Sequence, residues 1–288
     1  MQTSNRDVVE YFLRHRIDNK QGTPNTWRSY RIDLEHYAAY CNRARLDLLI
    51  LTPQDMLGYV NSLSENLKPS SIRRRIAVLR ELYKFLRESG KTTACPLTGI
   101  IAPQEREQVE SRPPLSQSEL EQLLAAAADG NTPLLLRDIA IIHVLSDAGL
   151  LVSECAQLSV DSFDTVNRCL WIWRDEEVRR AVPLSFETCD AITEWLSVRD
   201  SYLLTPFDKD RQYALFLSYR STPMPERSIT RMISQHGKKA GFATDVCAQT
   251  LRNTCAQRLS QEGRTAEEIQ NLLGHVRKNT TLLMLERM

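Results

Sequence analysis

The sequence has no long apolar run, no paired-cysteine motif and almost no net charge. No stretch of about 18 consecutive apolar residues occurs, so no transmembrane helix is predicted. The start, MQTSNRDVVE, lacks the basic and apolar blocks of a signal peptide. These absences predict a cytoplasmic protein without a membrane partner. With 288 residues, 42% hydrophobic and 25% charged, the chain has the composition of a globular protein long enough for two domains.

The seven cysteines are an odd number and none of them forms a CxxC pair. This usage predicts reduced packing residues rather than disulfides or a zinc site. Cys247, Cys255 and His275 could be imagined as metal ligands, but packing in apolar surroundings is the favoured interpretation. No metal and no cofactor is therefore predicted.

The net charge of +1 hides a division along the chain. Residues 1–100 hold 16 Lys and Arg against 10 Asp and Glu, whereas the remainder holds 21 against 26. A basic lobe on a nearly neutral chain is typical of a nucleic-acid-binding surface. Ordinary variation of surface charge gives the same imbalance. The placement of the cations therefore has to distinguish it from a nucleic-acid-binding surface.

One basic segment, KPSSIRRRIAVLRELYKFLRESG, has the pattern of an amphipathic helix. Its apolar residues recur at helical spacing: Ile72, Ile76, Leu79, Tyr83 and Leu86. Cations fall on another face: Arg73, Arg80, Lys84 and Arg87. Ser70 or Ser71 is predicted to cap the start, where a helix N-terminus beside Arg73 would suit a phosphate. The alternative is a helical bundle whose arginines are merely solvated.

An earlier segment, GTPNTWRSYRIDLEHYAAYC, begins in a similar way. Pro24, Thr26 and Arg28 correspond to Pro69, Ser71 and Arg73 at an offset of 45 residues. We therefore expect two helices that start alike and offer hydroxyls and cations to DNA. The predicted DNA-binding residues of this part are Thr26, Arg28, Arg31, Ser71, Arg73, Arg74, Arg80, Lys84 and Arg87.

Two further helical patterns, RDVVEYFLRHR and TPQDMLGYVNSLS, complete a predicted four-helix domain over residues 1–103. Four prolines and mixed charges interrupt the helical pattern over residues 92–114, and a linker is predicted over 104–114. The second domain, 115–288, opens with a capping box of Ser116 and Glu119. It is predicted to be mixed, with helices around a hairpin of RCLWIW and RRAVPLS. The predicted fold is thus mainly α with a small β-sheet.

The order and spacing of these segments resemble the tyrosine recombinases of the phage-integrase and Xer type. The resemblance is carried by TPNTWRSYRIDL, KPSSIRRRIAVLRELYKFL, DAGLLVSECAQLSVDSFD, RRAVPLS, TLRNTCAQRL and LLGHVRKNTT. It implies a helical, SAM-like core-binding domain and a mixed catalytic-type domain that together form a C-shaped clamp on duplex DNA. In active members it also implies two arginines, a hairpin lysine and two His-like positions around the scissile phosphate, which a tyrosine attacks.

Most positions of that constellation are changed in this chain. Leu151 stands for the first arginine, Gln249 for a histidine and Met284 for the tyrosine. The hairpin lysine falls at Asp175, or at Arg174 where the hairpin length differs. Arg252 and His275 are retained, and the resemblance implies that they contact the DNA backbone.

These changes lead to the expectation that the chain is not an enzyme. The thioether of Met284 has no ionisable proton and cannot form a phosphotyrosine. Each lost charge partner of a transition state costs about 3 to 4 kcal/mol. No tyrosine follows Tyr219, and Thr280 and Thr281 are expected to have no base beside them.

The predicted function is site-specific binding of duplex DNA, as a target-site or accessory factor of a mobile element with a transposase or an active recombinase as partner. The alternatives are a still-active recombinase with a rearranged site, a transcriptional regulator, and a protein-interaction scaffold. Active relatives continue beyond the tyrosine with a docking helix, whereas this chain stops four residues after Met284. A monomer or weak dimer on DNA, in the cytoplasm at the nucleoid, is therefore expected.

Overall fold

The computed structural model describes residues 4–19, 24–103, 113–174, 177–202 and 213–286. The chain divides into two compact units, residues 1–108 and residues 109–288. The division falls inside the predicted linker, most of which lies outside the described residues, so the domain bounds remain a prediction. The C-shaped clamp concerns both units together and also remains a prediction.

Unit 1 is helical throughout its described elements. It contains α1 (Asn5–Asp18), α2 (Pro24–Arg43), α3 (Pro53–Ser64) and α4 (Pro69–Glu88). Their apolar faces form one core, in which the hydroxyls of Tyr37 and Tyr83 lie 2.9 Å apart and Tyr83 donates to the carbonyl of Leu48. The helical pattern read from the sequence is confirmed.

Helix α4 has the two faces that its sequence predicts. The five predicted apolar residues are buried, and Arg73, Arg80, Lys84 and Arg87 are exposed. Helices α2 and α4 both begin at a proline, as the offset repeat predicts, and both span 20 residues. The predicted serine cap is wrong: Lys68 is the N-cap and makes no side-chain cap bond. Because Pro69 occupies the first turn with its φ already suited to a helix, Ser70 and Ser71 lie inside the helix.

Unit 2 contains helices around a small antiparallel sheet of order β1-β2-β3. The strands are β1 (Phe163–Asp164), β2 (Cys169–Arg174) and β3 (Glu177–Pro183). The helices are α5 (Gln117–Ala128), α6 (Leu134–Asp147), α7 (Val152–Gln157), α8 (Phe186–Arg199), α9 (Glu226–Lys239), α10 (Ala248–Gln261), α11 (Ala266–Leu273) and α12 (Lys278–Leu285). The predicted hairpin is confirmed, with Leu170 opposite Val182. The two-residue β1 and the six-residue α7 were not predicted, since such short elements carry no readable period.

Helix α6 lies in the centre of this unit and packs against α5, α8 and α10. Its last residue, Asp147, accepts hydrogen bonds from the Ser185 amide at 2.7 Å, the Thr188 hydroxyl at 2.9 Å and Arg258 at 2.9 Å. One carboxylate thereby joins α6, the start of α8 and the last turn of α10. This junction sets the position of α10, on which Arg252 lies.

The mainly helical fold class with a small sheet is confirmed. The predicted Ser116–Glu119 capping box at the start of α5 is present as well. All seven cysteines are free thiols. No helix within the described ranges is both long and apolar enough to span a bilayer.

Candidate nucleic-acid interface

A cavity of about 690 Å³ in unit 2 brings together most positions that the family resemblance singled out. Its lining includes Leu151, Gln249, Arg252, His275 and Met284. These residues come from the start of α7, from α10, from the turn after α11 and from α12. Asp175 and the side chain of Arg174 lie outside the described residues, so their predicted place at the site stays a prediction.

Arg252 is 3% exposed, and its guanidinium bonds to backbone carbonyls rather than to a carboxylate. Nη1 donates to the carbonyl of Gly149, and Nη2 donates to the carbonyl of Leu273 at 2.8 Å. Burial lowers the pKa of Arg252 to about 10, with Arg180 adding to the effect and Glu154 opposing it. The group therefore stays charged at neutral pH, and no carboxylate among the described residues forms an ion pair with it.

Gly149 allows the close approach on which this arrangement depends. Its φ is +60°, and a Cβ there would lie 2.5 Å from the Leu273 side chain and 2.9 Å from the Cys255 sulfur. Gly149 therefore lets the turn before α7 pack against α10 and the end of α11. The two carbonyls that receive Arg252 are brought together by this packing.

An ion pair that was not predicted from the sequence lies close enough to Arg252 to act on its charge. Arg180 on β3 donates to both carboxylate oxygens of Glu154 on α7, at 2.8 and 2.9 Å, and its Nε donates to the carbonyl of Leu272 at 2.8 Å. Burial works to raise the pKa of Glu154, but Arg180, the Leu151 amide and Arg252 outweigh it, and the pKa lies below its ordinary value. Both residues occur in segments that carry the resemblance, so their motifs were the signal that could have identified them.

The two residues of the Gly-His pair after α11 have different structural roles. Gly274 has φ +71° and ends the helix in the left-handed conformation; a Cβ there would lie 2.5 Å from Arg180 Nη1. His275 Nδ1 lies 2.8 Å from the hydroxyl of Thr281. The expectation that no base stands beside this threonine is therefore wrong, although Thr281 is fully buried. In the tautomer with its proton on Nε2, His275 accepts from Thr281 and keeps one donor.

His275 carries no charge at neutral pH. Burial, Arg252 and Arg180 together lower its pKa to about 4, and Glu154 opposes them. The two arginines and Glu154 leave one uncompensated positive charge beside the cavity. A pocket with such a charge and nearby N–H donors is suited to an anion such as a backbone phosphate.

The substituted positions make a mostly apolar contribution to the cavity. Leu151 is 44% exposed. Met284 packs against the apolar cluster of α10 and α11, which includes Cys255 and Leu259. Gln249 donates to the side chain of Asn253 at 2.8 Å, one turn further along α10. None of the side chains of Leu151, Gln249 and Met284 ionises in water near neutral pH.

Several predicted DNA-binding residues of unit 1 have partners within the unit. Arg31 pairs with Glu10 and Glu35, and Arg74 pairs with Asp33. Arg80 donates to the carbonyl of Ile100 at 3.3 Å, and Arg87 donates to the sulfur of Cys95 at 3.4 Å. Arg28 on α2 and Arg73 on α4 are exposed, Ser71 is half-buried, and Thr26 is half-buried in the first turn of α2.

Comparison with protein families identifies both parts of the chain. Residues 114–284 match the Phage integrase family, and residues 9–90 match the Phage integrase, N-terminal SAM-like domain. The first match spans more than half of the chain and includes the position of Met284.

Curated relatives match almost the whole length. A tyrosine recombinase XerC of Myxococcus xanthus is 30% identical over 280 residues, which are 97% of this chain and 92% of the relative. A tyrosine recombinase XerD of Listeria innocua is 28% identical over 279 residues, with 96% and 92% covered.

Solved structures share the fold. XerH site-specific recombinase bound to difH substrate superposes with a TM-score of 0.77 at 16% identity, covering 99% of this chain and 95% of that one. A lambda integrase dimer bound to a COC′ core site gives a TM-score of 0.69 at 17% identity, with 96% of each chain covered. The Tn1549 transposon integrase in complex with a circular intermediate DNA gives 0.73 at 18% identity, with 96% and 94% covered.

These matches correct one prediction made from the sequence. The residues at Leu151, Gln249 and Met284 led to the expectation of a protein that is not an enzyme, and this is wrong by the comparison: the relatives that match nearly the entire chain are named tyrosine recombinases, and nothing in the structure shows this member to be inactive. Side-chain identity at three positions was too narrow a basis, since the fold and the remaining motifs extend across both units. The chain belongs to the phage integrase family of tyrosine recombinases.

Proposed function

We propose that the protein binds a specific duplex-DNA site and acts there in DNA recombination. The observation that carries this proposal is the row of exposed cations on α4, formed by Arg73, Arg80, Lys84 and Arg87. They follow one face of a helix whose other face is buried in the core of unit 1. A continuous cationic face of this length matches the spacing of a DNA backbone and groove better than scattered surface charge does.

The cavity in unit 2 supplies a second contact of different character. Of the two arginines that line it, Arg277 is exposed, whereas Arg252 is buried and fixed by two backbone carbonyls, so an anion there would meet a charge that does not move. Phosphate contacts of this kind position a protein on the duplex but read no sequence. We therefore assign selectivity to α2 and α4, and backbone anchoring to Arg252 with a weaker donor contribution from His275.

The names of the relatives support the same function. XerH, lambda integrase and the Tn1549 integrase were each solved bound to DNA, and the last is named as the integrase of a transposon. We propose that this chain likewise recognises a target site of a mobile element in the cytoplasm. A second recombinase or a transposase is the partner we expect there, with one copy of this chain or a weak dimer on each site.

The test is selection of duplexes from a randomised pool with the full chain, followed by mobility shift of the selected duplex and of a scrambled duplex of equal length. We expect preferential binding of the selected duplex and an affinity that falls steeply with salt, at a log-log slope of about 0.9 per phosphate contact. Failure to enrich any duplex would refute the proposal and favour a protein-interaction scaffold.

A nicked form of the selected duplex measures strand cleavage separately from binding. A protein–DNA adduct that survives SDS would report cleavage, and peptide mapping of the adduct would identify the attacking side chain. Transcription from a promoter that contains the selected site measures the regulatory alternative.

A further inference from the structure

Arg74 on α4 is an exposed arginine held by a buried carboxylate. Its Nη1 and Nη2 donate to the two carboxylate oxygens of Asp33 on α2, at 2.5 and 3.0 Å, and Nη1 also donates to the hydroxyl of Ser29. The Asp33 side chain is 2% exposed, whereas that of Arg74 is 48% exposed. The anchor is thus inside unit 1, and the guanidinium that it holds is at the surface.

A second arginine shares the same carboxylate. Arg75 Nε lies 3.3 Å from Asp33, and Arg75 Nη1 lies 2.9 Å from His36 Nδ1. Burial raises the pKa of Asp33, and the two arginines oppose that rise. Burial, Arg75 and Arg43 lower the pKa of His36, so the imidazole is neutral near pH 7. One negative charge therefore offsets one of the two positive charges at the junction of α2 and α4, and the two arginines share it.

The anchored guanidinium keeps one donor edge. A guanidinium has five N–H groups, and the bonds to Ser29 and Asp33 use three of them. Within the described part of the chain, Nε and the remaining hydrogen of Nη2 make no bond. Two parallel donors of this kind match the O6 and N7 acceptors that guanine presents in the major groove.

The anchor also changes the energetics of recognition. A side chain that is already fixed loses little rotamer freedom on binding, which favours directional contacts. An arginine whose charge is paired gains less from a phosphate, because part of its field is already offset. Lys84 on the same helix is the contrast, since it is exposed and makes no hydrogen bond or ion pair within the described ranges.

We propose that Asp33 is a specificity-determining positioning residue, which orients Arg74 to read a base edge and suppresses its attraction to DNA of unrelated sequence. This inference rests on the proposed function, because it concerns how the α2–α4 surface recognises its site. Asp33 itself touches no DNA and acts through Arg74.

The test compares full-length wild type with Asp33→Asn, Arg74→Ala and the double variant. Dissociation constants are measured over a salt series for the selected duplex and for a scrambled duplex. Glu88→Gln is the matched control, because it removes the same charge from an exposed carboxylate at the end of α4.

For Asp33→Asn we expect tighter binding of the scrambled duplex, a log-log salt slope steeper by about 0.9, and a ratio of the two affinities reduced by about five-fold or more. Asp33→Glu should retain more of the preference for the selected duplex than Asp33→Asn does. In the Arg74→Ala background, the effect of Asp33→Asn on the ratio should disappear, because the two residues act as one unit. A merely structural Asp33 would lower thermal stability without moving the ratio or the slope.

An Asp33→Asn protein with the ratio and slope of Glu88→Gln would overturn the inference while leaving DNA binding itself intact. Absence of a selected duplex for wild type would instead refute the proposed function, and this inference with it. Should Asp33→Asn fail to fold, Arg74→Lys tests the same inference, because it keeps the positive charge but removes the bidentate guanidinium. The ratio of the affinities for the two duplexes should then fall, while the log-log salt slope stays unchanged. An unchanged ratio in that variant would also count against the inference.

Discussion

Arg73, Arg80 and Arg87 in unit 1 lie exposed along one face of α4, whereas Arg252 in unit 2 is buried with both terminal nitrogens bonded to carbonyls. The same residue type is therefore used in two ways. An exposed arginine exchanges counterions for phosphates and can reach a base, while a buried one organises the backbone around it and offers a fixed charge. Removal of an arginine should therefore have different consequences in the two units.

The largest effect is expected at Arg252, because its loss affects both folding and binding. Arg252→Ala leaves the carbonyls of Gly149 and Leu273 without their donor, at about 1 to 3 kcal/mol for each buried group left unpaired. Denaturant unfolding should show this loss, and affinity should fall about equally for selected and scrambled duplexes. Arg252→Lys is the control that keeps the charge without both bonds. An Arg252→Ala protein that lost its preference for the selected duplex without losing unfolding free energy would contradict this contrast between buried and exposed arginines.

A smaller and more selective effect is expected at Arg74. Arg74→Ala should weaken binding of the selected duplex by about 1 to 3 kcal/mol relative to the scrambled one, the usual discrimination of a bidentate base contact. Lys84→Ala should reduce the difference in affinity between the selected and the scrambled duplex by less, since an ammonium is a point charge on a flexible side chain. Competition binding at one fixed salt concentration measures both. Equal losses on the two duplexes would place Arg74 on the backbone instead.

At Arg73 and Arg80 we expect modest changes that appear chiefly in the salt dependence. Each substitution by Ala should reduce the log-log slope by about 0.9 if the residue contacts one phosphate. Arg14→Ala, an exposed arginine of α1 outside the α4 face, is the matched control. A slope that changes as much in the control as at Arg73 would remove the α4 face from the interface.

The smallest effect concerns pH and unit 2. The folded pKa of His275 is about 4, below the ordinary value of 6.5, so the fold favours the neutral imidazole. The corresponding stability is fully present above about pH 6.5 and is lost as the pH falls toward the folded pKa. The melting temperature should therefore drop between pH 7 and pH 5, and His275→Gln should flatten that drop. Identical pH profiles of the two proteins would show that His275 is not responsible.

The parts of the fold with a repeating pattern were predictable. The spacing of Ile72, Ile76 and Leu79 predicted which face of α4 is buried, because a helix brings every third or fourth residue to one side. The hairpin of β2 and β3 was predictable from two apolar segments around a polar turn. The N-cap of α4 was not predictable, because a proline and a serine that are adjacent in sequence each favour a different first residue of the helix.

The longer helices, the β2–β3 hairpin and the family could be inferred from residue order alone, since each depends on neighbours along the chain or on the order of motifs. The partners of the polar groups became known only from the folded chain. Arg252 bonds to Gly149, 103 residues earlier, and Arg74 bonds to Asp33, 41 residues earlier. Such pairs depend on which elements pack together, and local periodicity carries no record of that. The sequence therefore did not indicate that the guanidinium of Arg252 is buried against carbonyls. It equally did not indicate that the guanidinium of Arg74 is held at the surface by a carboxylate.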